Sequence, residues 1–481
     1  MLSEQTLHLF ELLFWTLFLC TLLLQTIFTF DDLFVDLCAI VFRVKPQELD
    51  AQLKKQILRT PQKRIGIIIA NWKEDEILYQ MISGNIENIQ YENYVFFIGV
   101  YPNDEKTWAV AKSLESNFSQ VQVIVNDRPG PTSKGQLLNH MADQISKMGQ
   151  TYPHLACDLL LMQDSEDILH PLSLKVFNYY SEKADFVQIP VFSFPRLWSE
   201  FVGATYMDEF AESHTKDLLV RQKLGAAIPS CGVGTCMSQP LIARMKSIQN
   251  NQLLNENSLT EDYQLGLTSH FEGFQTLFVC LYQKTSDGKI DWIATREYFP
   301  AQIKSSIKQK TRWTLGIAFQ GTMFLGWQGS FVNKYFLFRD RKGPINSFLL
   351  LLSTIYLLVF ILNHMMGPAE TPAFLQNDVI KSLMFLNFAH MIWRIFQRSR
   401  HVMRIYSAQE GILAILRWPL GNMINFSAGV YALQKHLHSI RTKTRPQWDK
   451  TQHQIPTSFG LSRPTPGLSQ GAVKTAMESE Q

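Results

Sequence analysis

The sequence predicts an α/β protein whose soluble body is built on a mostly parallel sheet and carried on apolar helices. Three observations carry this. Short apolar runs alternate with helical patterns through the middle of the chain, long apolar runs flank that region, and polar clusters directly follow several strand ends. Alternation of strand and helix argues a parallel sheet with helices on both faces. Ligands of such sheets bind beyond the carboxyl ends of the strands.

The first element is the run from Leu7 to Phe30, interrupted only by scattered polar residues. Its length, roughly 36 Å as a helix, exceeds a hydrocarbon core of about 30 Å. No Lys or Arg precedes it and no small-x-small cleavage site follows. A retained anchor is therefore expected over residues 1–45 rather than a cleaved signal peptide.

Residues 46–305 read as the soluble α/β body. Arg64–Ala70 is a buried strand, β-branched and continuous rather than alternating. A helical pattern over Glu74–Asn88 follows. Tyr94–Val100 and Val121–Val125 are the next strands, with helices expected over Lys106–Phe118 and Lys134–Gly149. A fourth strand, Asp158–Met162, runs directly into Gln163-Asp164-Ser165-Glu166-Asp167.

An amphipathic stretch from about Ala301 to Trp327 makes residues 306–345 an interfacial region. Residues 346–433 form the membrane region. Asn346–Met366 is the clearest span, Val379–Phe396 the second. Basic residues before the first (Lys334, Arg339, Arg341, Lys342) and after the second (Arg394, Arg398, Arg400, Arg404) put the soluble body in the cytoplasm by the positive-inside rule. Gly411–Leu433 carries Arg417, Pro419, Asn422 and Asn425, costly in lipid unless buried in protein. It is read as re-entrant or interfacial, with a third crossing as the alternative. Residues 434–481 are a basic segment followed, from about Pro446, by a Pro-, Gly-, Ser- and Thr-rich tail expected to be disordered.

Composition narrows the function. In 481 residues, 45 Lys+Arg against 42 Asp+Glu leave +3, with no basic stripe, so nucleic acid is not an expected partner. Charged residues are only 18% and Phe alone contributes 33, which points to membrane lipid. Six cysteines without CxxC spacing argue against structural zinc or a disulfide scaffold.

Five clusters carry chemistry, and each has a plainer alternative. Asp164, Glu166 and Asp167 repel one another unless a hard divalent cation offsets them; the alternative is a helix N-terminus. Thr260-Glu261-Asp262 reads equally as a helix cap. Gln309, Arg312 and Trp313 share one helical face, suited to a diphosphate beside a sugar ring, or to an ordinary membrane-surface helix. The loop Asn126–Gly135 can present Lys134 to an anion at a helix start, or merely connect. Ser230-Cys231-Gly232-Val233-Gly234-Thr235 lets backbone approach a ligand closely, or is a plain turn.

In their order, an N-x-x-E loop, K-x-x-x-L-N, D-x-[DE]-D, G-x-G-T, T-E-D and Q-x-x-R-W before membrane spans, these motifs resemble the membrane-embedded processive glycosyltransferases of family 2. The wording of NWKEDE, YPND, QDSEDILHP and TREYFP is most similar to the bacterial inner-membrane phage adsorption group. The resemblance implies a GT-A domain with a Rossmann-like sheet. It implies Mg²⁺ or Mn²⁺ held by Asp164, Glu166 and Asp167, and a catalytic base at Asp262 within Thr260-Glu261-Asp262. It assigns Asn71, Glu74, Lys134, Asn139, Asp164 and Arg312 to the donor. Gln309, Trp313, Cys231 and Gly232 go to the acceptor. The expected reaction is inverting transfer from a nucleotide-sugar, in the first place a UDP-sugar, to a growing polysaccharide at the cytoplasmic face of a bacterial inner membrane. An outer-membrane or periplasmic export partner is a further expectation. The rival readings are transfer to a polyprenyl phosphate and a non-catalytic envelope scaffold or phage-receptor component. One departure stands out. The family's D-D-G-S-x-D after the second strand is replaced by Gly99-Val100-Tyr101-Pro102-Asn103-Asp104, which leaves the base of the donor open.

Overall fold

The structure, a computed structural model, describes residues 4–366 and 373–443. The expected disordered tail, Arg445 of the basic segment, and part of the loop after the Asn346 span lie outside the described residues.

The central sheet has seven strands: β1 (Ile65–Ala70), β2 (Tyr94–Val100), β3 (Val121–Val125), β4 (Leu159–Gln163), β5 (Phe186–Gln188), β6 (Thr235–Ser238) and β7 (Thr276–Phe278). Their order is β7-β5-β6-β4-β1-β2-β3. Pairs β1–β2, β1–β4, β2–β3 and β5–β7 are parallel, whereas β6 runs antiparallel to both β4 and β5. The continuous apolar runs reflect burial on both faces. Ile65, Ile67 and Ile69 enter one core and Ile68 the opposite one, all at 2% exposure or less.

The crossover helices are Leu78–Asn88, Glu105–Asn117 and Lys134–Thr151. The first starts at Leu78, not at Glu74 as its spacing suggests. Side chains hold the preceding residues as a loop: Lys73 N–H donates to Asp104 Oδ2 (2.6 Å) and Glu74 N–H to Thr107 Oγ1 (3.0 Å). A small sheet places Thr295–Glu297 between Ile168–Leu169 and Val191–Ser193.

Among the described residues three helices are long and apolar enough to cross a membrane: His8–Val41, Gly343–Met366 and Asp378–Ile405. Gly411–Leu433, expected to be re-entrant or interfacial, lies inside one helix, Ala408–Thr442, that runs on through Pro419 without turning back. No break is needed because Arg417, 1% exposed, is satisfied by protein. Its guanidinium donates to both Asp208 oxygens (2.9 and 2.7 Å) and to Glu410 (2.7 Å). This helix packs on Gly343–Met366, Asp378–Ile405 and Ile303–Thr314.

The junction between sheet domain and apolar helices is a belt of such pairs. Lys216 bridges Asp36 (2.6 Å) and Glu212 (2.8 Å). Lys310 meets Glu209 (2.7 Å) and Asn425 (2.9 Å). Arg339 meets Asp31 at 2.6 Å.

Candidate active site

One open cleft lies past the carboxyl ends of β1, β2 and β4. With the solvent at its mouth it holds about 1020 Å³ of non-atom space. Asn71 and Glu74 reach it from the loop after β1, Lys134 from a helix start, and Asp164 and Glu166 from the turn after β4. Cys231 and Gly232 come from the turn before β6, and Thr260, Glu261 and Asp262 from the start of the Glu261–Phe271 helix. Gln309, Arg312 and Trp313 come from the Ile303–Thr314 helix. Residues from Asn71 to Trp313 thus converge.

The plainer alternatives fare unevenly. Asp164–Asp167 begins no helix; it turns the chain between β4 and Ile168–Leu169. Glu261 and Asp262 do occupy the first turn of a helix, but Thr260 makes no side-chain cap. Gly232 adopts φ +79°, and an added Cβ would lie 2.5 Å from Asp262 Oδ2. Only glycine lets that turn close on the carboxylate. An added Cβ at Gly316 would lie 2.4 Å from Thr260 Oγ1. The Thr260–Asp262 segment and the helix bearing Gln309, Arg312 and Trp313 are therefore locked together. Trp313 is oriented by aromatic edges, 5.9 Å from Tyr206 and 6.3 Å from Phe299.

Two of the expected site residues lie off the cleft wall. Asp167 does not line the cleft. Its Oδ2 accepts from Asp164 N–H (2.7 Å), fixing the turn, and its buried carboxyl is pushed well above the ordinary range by desolvation and by Glu297, Asp164 and Glu166. Asn139 does not reach the cleft either. Its amide pairs with both backbone groups of Leu254 (2.9 and 2.8 Å) and with Glu256 (3.2 Å). It fastens the loop that delivers Thr260–Asp262. Both side chains belong to the right segments, and only the fold turns them inward.

Residues that motif reading passed over also line the cleft: Trp72, Tyr101, Thr132, Glu297 and Phe299. Glu297 lay in a recognisable TREYFP string, but no spacing marked it as lining the same cleft as Asp164.

Electrostatically the site is in excess of negative charge. Glu74, Asp164, Glu166, Glu261, Asp262 and Glu297 face it, against Lys134 and Arg312. Burial, with Asp262 alongside, pushes Glu261 to about 7. Burial raises Asp262 as well, with Lys134 and Arg312 holding it back. Lys134 donates to Asp164. Against the effect of burial, Asp164 and Glu261 hold its ammonium above the ordinary value. Among the described residues no three His, Cys, Asp or Glu side chains form a ready-made metal cluster. Asp164 and Glu166 nonetheless fit a hard cation, which is commonly held by one or two carboxylates plus substrate phosphates. Several buried atoms on the cleft wall have no partner: Asn71 Oδ1, Thr260 Oγ1, Gln309 Oε1 and Arg312 Nε. Such groups are costly unless a ligand completes them.

Residues 61–316 match the family described as "Glycosyltransferase like family 2", and the chain belongs to that family: it is a glycosyltransferase. It is 33% identical over 479 residues to bacteriophage adsorption protein B of Escherichia coli (strain K12) and to bacteriophage N4 adsorption protein B of Escherichia coli O157:H7. The alignments cover 94% of this chain and 63% of each relative. Among solved structures it is similar to the mannosyltransferase PcManGT from Pyrobaculum calidifontis in complex with GDP-Man and Mn²⁺, at 10% identity and a TM-score of 0.47. That match covers 80% of this chain and 98% of the other. S. aureus TarS 1–349 matches at 10% identity and a TM-score of 0.33, covering 83% and 98%.

Proposed function

We propose that this glycosyltransferase moves a sugar, with inversion, from a nucleotide-sugar to a growing polysaccharide at the cytoplasmic face of a bacterial inner membrane. A UDP-sugar is the expected donor. The observation that carries the reading is the convergence of Asp262, Gly232 and the Gln309–Trp313 face on the cleft that Lys134, Asp164 and Glu166 also line. A carboxylate base, a charged end for a diphosphate and an indole for a sugar ring are thereby adjacent.

In this mechanism Asp262 takes the proton of the acceptor hydroxyl as that oxygen attacks the anomeric carbon. A single displacement without a covalent intermediate inverts the configuration. Arg312 and Lys134 stabilise the charge that develops on the leaving diphosphate. Asp164 and Glu166 would hold Mg²⁺ or Mn²⁺, which when bound supplies further neutralisation of that diphosphate. Gln309 and Trp313 orient the acceptor, and the Cys231-Gly232 turn borders it.

A polymer is favoured over a single transfer by the shared face of Gln309, Arg312 and Trp313 beside Asp262. A second cavity among the apolar helices presents a mostly apolar surface, Phe18, Leu22, Leu350, Leu357, Phe360 and Met384 among it, with Asn346, Ser353, Thr354, Asn387, Asn422 and Asn425 interspersed. The two E. coli relatives are named for bacteriophage adsorption, and the product proposed here is a phage-receptor glycan or exopolysaccharide. The reading is tested by sugar transfer in purified membranes, with a panel of UDP-sugars, with and without Mn²⁺. Metal-dependent polymer from one donor is expected; a single-sugar product on lipid would replace the polymer with a polyprenyl-phosphate acceptor.

A further inference from the structure

The helix that carries Asp262 is fastened on the side away from the cleft as well. Tyr263, the next residue, does not line the cleft. It is 4% exposed and packs with Ala227, Leu267, Leu325 and Leu337. Its hydroxyl donates to Asp340 Oδ2 at 2.7 Å. Burial, with Asp340 alongside, holds this phenol well above its ordinary range, so it remains a donor. One turn further on, an added Cβ at Gly266 would lie 2.3 Å from Ser230 N. The helix therefore also sits directly on the loop that leads into Cys231-Gly232.

The carboxylate that holds Tyr263 holds that loop too. Arg221, 4% exposed, donates to both oxygens of Asp340 (2.9 and 3.0 Å), and its Nε donates to Ala227 O at 2.5 Å. Ala227 N–H in turn donates to Asn333 Oδ1 (2.8 Å), on the helix Phe331–Arg341 that bears Asp340. Base and facing turn thus hang on one side chain. Its neighbours fasten it to the membrane region. Arg339 pairs with Asp31 (2.6 Å) and Asp32 (3.2 Å), Lys342 pairs with Asp32 (3.2 Å), and the apolar helix Gly343–Met366 begins directly afterwards.

We propose that Asp340 is a positioning residue for the transfer step, setting through Tyr263 and Arg221 the spacing between Asp262 and the Cys231-Gly232 turn. This rests on the reading of Asp262 as the base. Asp340 does not line the cleft; it acts through residues on segments that do. A carboxylate suits the task because it accepts a phenol and a planar guanidinium fork together. Spacing matters because misplacing reacting groups by about 1 Å can cost about 10²-fold in rate.

The test is transfer by the purified full chain, with the radiolabelled donor that the membrane panel identifies, alongside UDP and GDP binding by calorimetry and thermal melting. Tyr263→Phe removes one hydroxyl and leaves Arg221 paired with Asp340. It should fold, lower kcat about tenfold, and keep nucleotide affinity within about twofold of wild type. Asp340→Asn still offers Tyr263 an acceptor and should retain more turnover than Asp340→Ala. If the alanine variant does not fold, Tyr263→Phe decides alone. Wild-type kcat in Tyr263→Phe overturns the assignment. So does a loss of kcat matched by an equal loss of nucleotide affinity, which would mark a general structural role. Full turnover by Asp262→Asn, run in parallel, or no transfer from any donor, sinks the reading of the base first and this inference with it.

Discussion

In the cleft, Asp164, Glu166, Glu261, Asp262 and Glu297 face a common space with Lys134 and Arg312 as the cations on its wall. At the junction with the apolar helices, Lys216, Lys310, Arg339 and Arg417 are each matched by one or more carboxylates within 2.9 Å. Both regions bury charge, but the junction cations are matched by carboxylates of the protein, whereas in the cleft the carboxylates outnumber the cations and Lys134 pairs, among the described residues, only with Asp164. Junction charges therefore define how the sheet domain sits on its helices, and cleft charges await a ligand. Removing a charge should have opposite effects on stability in the two places.

The largest effect is expected at the junction. Arg417→Met leaves Asp208 buried without its bidentate partner, and breaking such a pair costs about 3–5 kcal/mol. A much lower thermal midpoint, or failure to accumulate folded protein, is the expected readout. An unchanged midpoint would mean the belt is ornamental.

Next comes a pH effect away from the cleft carboxylates. Burial lowers His214 to about 4 from 6.5. The folded state then takes up its proton less readily than the unfolded chain. Stability present above pH 6.5 should fall as pH drops towards 4, by about 3 kcal/mol at about 1.4 kcal/mol per unit. His214→Gln should flatten that part of the acid limb in a melting series; if the limb stays as steep, other groups dominate it.

The cleft should respond in the other direction. Glu261 lies at about 7 against an ordinary 4.5, so its ionised form opposes folding above pH 7 and that cost disappears as pH falls to 4.5. Glu261→Gln should accordingly raise stability at pH 8 by about 1–3 kcal/mol while impairing transfer. A destabilised variant would remove the contrast between the two regions.

Much of the fold could be read from the sequence because its strands are buried on both faces. Tyr94–Val100 and Val121–Val125 formed as expected, and β1 and β4 within one residue at each end. β6 could not be found that way: Thr235–Ser238 is four residues beside a glycine turn, and its antiparallel pairing is a tertiary matter. Helix starts failed where side chains out-competed helix formation, as Asp104 and Thr107 do around Lys73 and Glu74. In the site, motif residues converged as a set, but Asp167 and Asn139 turned inward to brace loops. Which of two neighbouring polar side chains faces the cleft depends on backbone turns that no spacing encodes. The junction pairs were half visible: Arg417 read as needing a protein partner, but Asp208 could be named only from the fold.

The central claim is that the cleft performs sugar transfer with Asp262 as base. Its most direct test is radiolabelled sugar transfer by the purified full chain and by Asp262→Asn, with nucleotide binding measured in parallel. Loss of transfer by about 10²–10⁴-fold, with UDP or GDP binding within a few-fold of wild type and an undiminished melting point, is the predicted result. Turnover retained by Asp262→Asn would contradict it.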